Sequence, residues 1–135
     1  MKSVIFDFDG TIAQTYSITI QYFKELNKKY SNNQINYDEI RNKGLRSCIL
    51  KTKIPFWKIP SLLKEYKSTI CKRIAQDVEI VDGLPEVIKE ASNHFYLGIV
   101  SSNSDEAIKI FLEREKLSKY FKFIFSESSL FGKHI

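Results

Sequence analysis

Apolar and polar residues change their spacing several times along the chain, and each change marks an element. Val4-Ile5-Phe6-Asp7-Phe8 is a short, nearly continuous apolar run that stops at Asp9-Gly10-Thr11. That is the pattern of a buried strand ending at a turn, with the strand committed by residue 9. From Ile18 the spacing becomes helical, through Tyr22, Phe23, Leu26 and Tyr30, until the turn formers Ser31-Asn32-Asn33-Gln34 interrupt it. Asn36 with Glu39 has capping-box spacing and predicts a helix from Tyr37 toward Lys43, with Gly44 as its end or a bend. Apolar residues resume at Leu45, Ile49 and Leu50, and Pro55 and Pro60 bracket an irregular Phe56-Trp57-Lys58 stretch. Beyond Pro60, Ser61 is placed to cap a longer helix with Leu62, Leu63, Tyr66, Ile70, Cys71 and Ile74 on one face.

The pattern then changes type. Asp82-Gly83-Leu84-Pro85-Glu86 opens a helix carrying Leu84, Val87, Ile88 and Ala91, and Phe95 to Val100 follows as a second apolar strand ending in Ser101-Ser102-Asn103. Ser104 is a natural cap with Asp105 and Glu106 in the first turn of the next helix, whose Ile108, Phe111 and Leu112 face inward. Phe121 to Phe125 forms a third strand. Strands apolar on both faces, alternating with helices, predict an α/β fold with a Rossmann-like parallel sheet. An all-helical insertion of residues 15–80 separates residues 1–14 from residues 81–135, which together make the α/β core. No internal repeat or low-complexity segment is present.

Composition narrows the class. The chain has 135 residues, 43% of them apolar, and a net charge of +5, which suits a globular domain and not a disordered tail. No apolar run approaches the ~20 residues that a bilayer span needs. Met1-Lys2 leads directly into the first strand without a small-residue cleavage site. A cytoplasmic location without membrane association is therefore expected, and Cys48 and Cys71 are expected to be reduced structural thiols. Charge is unevenly distributed. Residues 15–77 hold 13 basic against 5 acidic side chains, a net +8, and the remainder 8 against 11, a net −3. A sequence pI near 9.1 would suit a nucleic-acid partner, but the lysines are scattered through helical patterns and accompany no recognition helix or aromatic platform. A small anionic partner fits better than a nucleic-acid backbone, and the oligomeric state is left open.

In an open parallel sheet, ligands bind beyond the carboxyl ends of the strands. Here those ends carry Asp7, Asp9, Gly10 and Thr11, then Ser101-Ser102-Asn103, then the loop from Ser126 toward Lys133. Two carboxylates one residue apart at a strand exit can share a divalent cation, and their oxygens are the hard ligands that Mg²⁺ prefers. A hydroxyl at the second strand end and an ammonium at the third supply donors to phosphate oxygens, the positioning and charge neutralisation that phosphoryl transfer requires. A phosphorylated substrate is the expected ligand. As alternatives, Asp-x-Asp-Gly can be a plain turn, Ser101 to Ser104 a plain helix entry, and Lys133 a solvated surface lysine. An EF-hand is excluded because it needs a third carboxylate before its glycine.

Phe6-Asp7-Phe8-Asp9-Gly10-Thr11 resembles the first motif of the haloacid dehalogenase superfamily, Val100-Ser101-Ser102-Asn103 is similar to its second, and Gly132-Lys133 to its third. Within it, the phosphoglycolate-phosphatase-like branch carries a small helical cap directly after the first motif, as residues 15–80 would here. The resemblance implies a Mg²⁺-dependent phosphatase of a small phosphorylated metabolite. Asp7 would be the nucleophile that becomes an aspartyl-phosphate. Asp9 would protonate the leaving oxygen and then activate water, and Asp7 and Asp9, the latter through its backbone carbonyl, would hold the metal. Phe8 and Gly10 would offer backbone N–H groups to the phosphate, with Thr11, Ser102 and Asn103 also lining the phosphate site. Ser101, or Ser102 if the strand runs one residue longer, would hydrogen-bond the phosphoryl group, and Lys133 would hold Asp7 and the phosphate by charge. In the cap, Arg41, Lys43 and Arg46 around Gly44 would select the substrate by attracting anions. Phe56 and Trp57 are expected to pack in the core or against the cap interface, and His94 and His134 are expected at the surface.

Two departures from the family pattern stand out. Gln14 occupies a place where the family often has an acid, and the fourth motif, a carboxylate pair on a further strand, is missing because Ile135 closely follows Lys133. A C-terminally shortened chain is expected, with an unpaired edge on the first strand. A catalytically impaired domain of the same fold, kept for binding, is the alternative reading. A signalling receiver is disfavoured, because no Asp ends the second or third strand and a receiver has no large helical insertion.

Overall fold

A computed structural model describes residues 1–30, 37–43 and 54–126. Their elements, numbered among the described residues, are β1 (Ser3–Phe6), α1 (Tyr16–Tyr30), α2 (Tyr37–Lys43), α3 (Ile59–Gln76), α4 (Leu84–Ser92), β2 (Tyr96–Val100), α5 (Asp105–Arg114) and β3 (Phe121–Phe125). Single 3-10 turns cover Phe56–Lys58 and Ser118–Tyr120.

The three strands form one parallel sheet in the order β1-β2-β3, the α/β arrangement that their two-sided apolar sequences imply. Ser3 to Phe6 lie beside Tyr96 to Ile99 in register, and β2 pairs with β3 with a one-residue slip between Leu97 and Gly98. On one sheet face Leu97 and Ile99 are fully buried, as are Ile88 of α4 and Ala107, Ile108 and Phe111 of α5. The hydrophobic stripes of both helices supply that core. On the other face, Ile5, Tyr96, Val100 and Phe125 are exposed, and the ring of Phe123 occupies the space that a Cβ on Gly98 would need. Among the described residues the outer edge of β1 meets no strand.

The chain divides into two compact units, Met1–Tyr16 with Ile70–Ile135, and Ser17–Thr69. The second crossing falls inside α3. In the helical unit, Ile18, Tyr22, Phe23 and Leu26 of α1 are buried with Leu62 of α3, and Tyr66 meets the rings of Tyr22 at 5.0 Å and Phe23 at 5.8 Å. The helical spacing read from α1 therefore corresponds to an aromatic core.

Three expectations need correction. The first strand stops at Phe6 and not at residue 9, because the backbone of Phe8 enters a turn. The long helix starts at Ile59, two residues before the expected cap Ser61. The 3-10 turn runs straight into it through an α-helical Ile59, and Pro60 is tolerated in a first turn because its missing N–H would have no partner there. Phe56 and Trp57 are 76% and 67% exposed and pack edge-on against each other, since a single 3-10 turn between prolines buries none of its residues. The Asn36 cap, Gly44, Leu45, Cys48, Ile49, Leu50 and His134 lie outside the described residues.

Helix α5 ends in a two-bond closure. The Leu117 N–H donates to Leu112 O at 2.8 Å and the Lys116 N–H to Glu113 O at 3.1 Å, a Schellman pattern that places Lys116 at the left-handed position with φ 58°. Glycine normally takes that place, since a Cβ there costs about 1–2 kcal/mol. Lys116→Gly is expected to stabilise the chain by roughly 0.5–1 kcal/mol, the relief of strain exceeding the added unfolded-state entropy. An increased urea midpoint at constant slope is the result to look for.

Candidate active site

The site grows from the turn that ends β1. The Phe8 carbonyl accepts from the amides of Thr11 at 3.3 Å, Ile12 at 2.9 Å and Ala13 at 3.0 Å, and the Gly10 amide donates to Ala13 O at 2.8 Å. Gly10 has φ 75°, and a Cβ at this position would meet nothing within 4 Å, so the demand for glycine there is conformational and not steric. The Phe8 ring is fully buried and meets Phe111 of α5 edge-on, centroids 5.3 Å apart. This anchor lies between the two acids in sequence. Asp7 is exposed, its Oδ1 accepting from the Phe8 amide at 2.7 Å, while Asp9 is partly buried.

Asp9 is met by the end of β2. Asn103 Nδ2 donates to Asp9 Oδ1 at 3.0 Å and Ser101 Oγ to Asp9 Oδ2 at 3.4 Å. The Asn103 amide N–H donates to Ser101 Oγ at 3.1 Å, and the Ser104 N–H to Asn103 Oδ1 at 2.7 Å, which orients the side-chain amide. Ser104 then caps α5 by accepting from the Ala107 N–H at 3.2 Å. Burial, reinforced by the nearby Asp7 charge, pushes the Asp9 carboxyl above its ordinary value, against hydrogen bonds from Asn103, Thr15 and Ser101 that pull it down.

Of the residues expected at the site, Asp7, Phe8, Asp9, Gly10 and Thr11 share one loop, and Ser101 and Asn103 stand against Asp9. Ser101 is 4% exposed and faces the carboxylate, whereas Ser102 and Thr11 are exposed. Lys43 is exposed in α2, Arg41 belongs to the same helix, and Arg46 and Lys133 lie outside the described residues. Sequence reading missed Thr15, a buried hydroxyl bonded to Asp9, whose only signal was its closeness to the first motif. It also missed the task of Gln14, whose Nε2 donates to Ile80 O at 3.1 Å and whose amide donates to Glu79 O at 2.9 Å. The acid common at that place could not donate this side-chain bond. Among the described residues no three metal-ligating side chains converge, but Mg²⁺ retains several waters and needs only one or two carboxylates plus substrate oxygens. The oxygen donors of Asp7 and Asp9 fit that demand.

A parallel α/β core with a carboxylate loop at the exit of its first strand, facing a Ser-Asn pair at the exit of the second, is the arrangement of open α/β folds that bind ligands at their strand exits. The family model for haloacid dehalogenase-like hydrolases matches residues 4–134. A phosphoglycolate phosphatase of Synechococcus elongatus is 23% identical over 98% of this chain and 64% of its own length. Among solved structures, a haloacid dehalogenase-like family protein from Streptococcus pneumoniae superposes with a TM-score of 0.75 at 16% identity, covering 95% of this chain and 62% of that one. CbbY from Rhodobacter sphaeroides, solved in complex with phosphate, gives 0.74 at 17% identity over 93% and 63%. The chain belongs to the haloacid dehalogenase-like hydrolase family. It spans somewhat less than two thirds of the length of these relatives.

The Asp9 environment has a consequence for stability. Because its folded carboxyl titrates above the unfolded value of 3.8, the folded state binds the proton more tightly, and stability falls as pH rises through the raised value. Asp9→Asn removes the buried charge while its amide can still accept from Asn103 and donate to Ser101. In the presence of EDTA, the variant is expected to melt higher than the parent at neutral pH, on the order of a few degrees. Thermal scans across pH should show the difference shrinking as pH falls through the raised value toward 3.8.

Proposed function

We propose that the full-length protein is a Mg²⁺-dependent phosphatase of a small phosphorylated metabolite, phosphoglycolate-like in size and charge, acting through an aspartyl-phosphate. The observation that carries this reading is the separation of two neighbouring carboxylates into an exposed Asp7 and a partly buried Asp9 whose carboxyl is pushed up. An exposed carboxylate is accessible for attack, and a carboxyl that burial pushes upward is the better proton donor of such a pair. The phosphoglycolate phosphatase relative supports the substrate class.

In the first step, an Asp7 carboxylate oxygen attacks phosphorus in line, forming an acyl phosphate as the bond to the leaving oxygen breaks. Asp9 delivers its proton to that oxygen. In the second step, Asp9, now ionised, takes a proton from water, which attacks phosphorus and releases inorganic phosphate and the Asp7 carboxylate. The Phe8 and Gly10 amides are not free to meet the phosphate as expected, since the Phe8 N–H is taken by Asp7 Oδ1 and the Gly10 N–H by Ala13 O. Thr11, Ser101, Ser102 and Asn103 supply donors to the phosphoryl oxygens, and Lys133 balances their charge. Bound to the Asp7 carboxylate and the Asp9 carbonyl, Mg²⁺ would supply charge neutralisation of the phosphoryl group. Residues 15–80 act as a cap in which Arg41, Lys43 and Arg46 attract and select the anionic substrate. A cytoplasmic setting suits such a substrate, and no described helix is long and apolar enough to cross a membrane.

Asp7→Asn is expected to abolish Mg²⁺-dependent hydrolysis of phosphoglycolate and of p-nitrophenyl phosphate, a loss of at least about 10³-fold. Retained turnover by this variant would contradict the nucleophile assignment. A parent protein that neither hydrolyses these esters nor binds Mg²⁺ with beryllofluoride would instead favour a catalytically impaired binding domain.

A further inference from the structure

Arg114 is the last residue of α5, and no side chain of the proposed chemistry touches it. Its guanidinium is spent inside the protein. Nη1 donates to the carbonyls of Ile74 at 2.8 Å and Ala75 at 3.1 Å, and Nη2 donates to Val78 O. Nε and Nη2 also reach Glu115 Oε1, at 3.2 and 3.0 Å, which balances the charge locally. Those carbonyls belong to the end of α3 and the residues just after it, where a helix leaves its last C=O groups without internal partners and carries partial negative charge. A planar fork satisfies several such carbonyls at once, which an ammonium cannot do.

Two physical routes lead from this clasp to the carboxylate loop. The segment held at Val78 continues at once into Glu79 to Val81. There the Gln14 amide donates to Glu79 O and the Val81 amide to Ile12 O, both at 2.9 Å, and Ala13 bridges to Ile80. Residues 12 and 13 supply two of the three amides that close the turn on the Phe8 carbonyl. The second route is shorter. The guanidinium lies 4.8 Å from the centroid of the Phe111 ring, and that ring meets Phe8, the residue between Asp7 and Asp9.

We infer that Arg114 is a positioning residue for the carboxylate loop, bracing it from beneath through the 79–81 segment and through Phe111. The part of this inference that concerns turnover rests on the phosphatase reading. The part that concerns the loop does not.

The test compares the parent with Arg114→Met and Arg114→Lys, well below their melting temperatures, by amide hydrogen exchange and by Mg²⁺-dependent hydrolysis of p-nitrophenyl phosphate. In Arg114→Met, exchange at Gly10, Ile12, Ala13, Gln14 and Val81 is expected to rise about tenfold or more, the size of one lost charge-assisted bond, while the amides of α4 keep their protection. The kcat should fall about tenfold or more with KM changed less than about threefold, because misplacing the loop weakens the transition state more than ground-state binding. Arg114→Lys keeps the charge and the stem, and is expected to fold even where the Met variant does not, with the same exchange pattern at smaller amplitude. Parent-like exchange at these amides in a folded variant, or a lowered Tm with kcat unchanged, would overturn the inference. If the parent itself hydrolyses no phosphate ester, the phosphatase reading fails and the exchange pattern alone decides whether Arg114 braces the loop.

Discussion

Everything proposed for this chain depends on how the backbone leaves β1 at Phe8. In a continuing strand, Asp7 and Asp9 would point to the same side and share one environment. Instead the Phe8 carbonyl gathers three amides, its ring is sunk against Phe111, and the turn places one acid in solvent and the other among Asn103, Ser101 and Thr15. One buried aromatic residue thereby separates the environments of two acids that are neighbours in sequence. A nucleophile must be accessible and a general acid is helped by burial that pushes its carboxyl upward, so this separation suits the proposed chemistry.

Helix α5 is the element through which the rest of the core reaches that turn. Its first turn is fixed by Ser104, which also orients Asn103 toward Asp9. Its middle presents Phe111 to Phe8, and its end sends Arg114 to the exit of α3. A single amphipathic helix thus touches the second motif, the first motif and the point where the helical segment returns to the core. Packing density makes such contacts mutually dependent, since interiors transmit small displacements and do not absorb them.

Much of this was legible in the sequence, and the limits have physical reasons. Helix α2 and strand β3 fall on the residues that their patterns indicate, because a capping-box spacing and a β-rich apolar run are local signals. The Ser104 cap was visible for the same reason. Local patterns misled where the backbone changed hand or type within one or two residues: Phe8 keeps its apolar character while leaving the strand, and Pro60 sits inside the first turn of α3. The tasks of Thr15, Gln14 and Arg114 were not legible. Gln14 meets Ile80 and Arg114 meets Ile74, partners that no periodicity connects. The motif residues themselves could be named because the chemistry of phosphate and Mg²⁺ calls for hard oxygens and donors at strand exits, whereas Ser101 was separated from Ser102 only by its burial against Asp9.

The proposed mechanism has the exposed acid of the pair attack phosphorus and the partly buried one transfer the proton. Borohydride trapping during turnover, followed by mass spectrometric mapping, reads it directly, because an acyl phosphate is reduced to an alcohol at the residue that carried it. Reduction of Asp7, dependent on both substrate and Mg²⁺, is the predicted result. Reduction of Asp9, or a protein that turns over substrate with neither residue modified, would contradict the account.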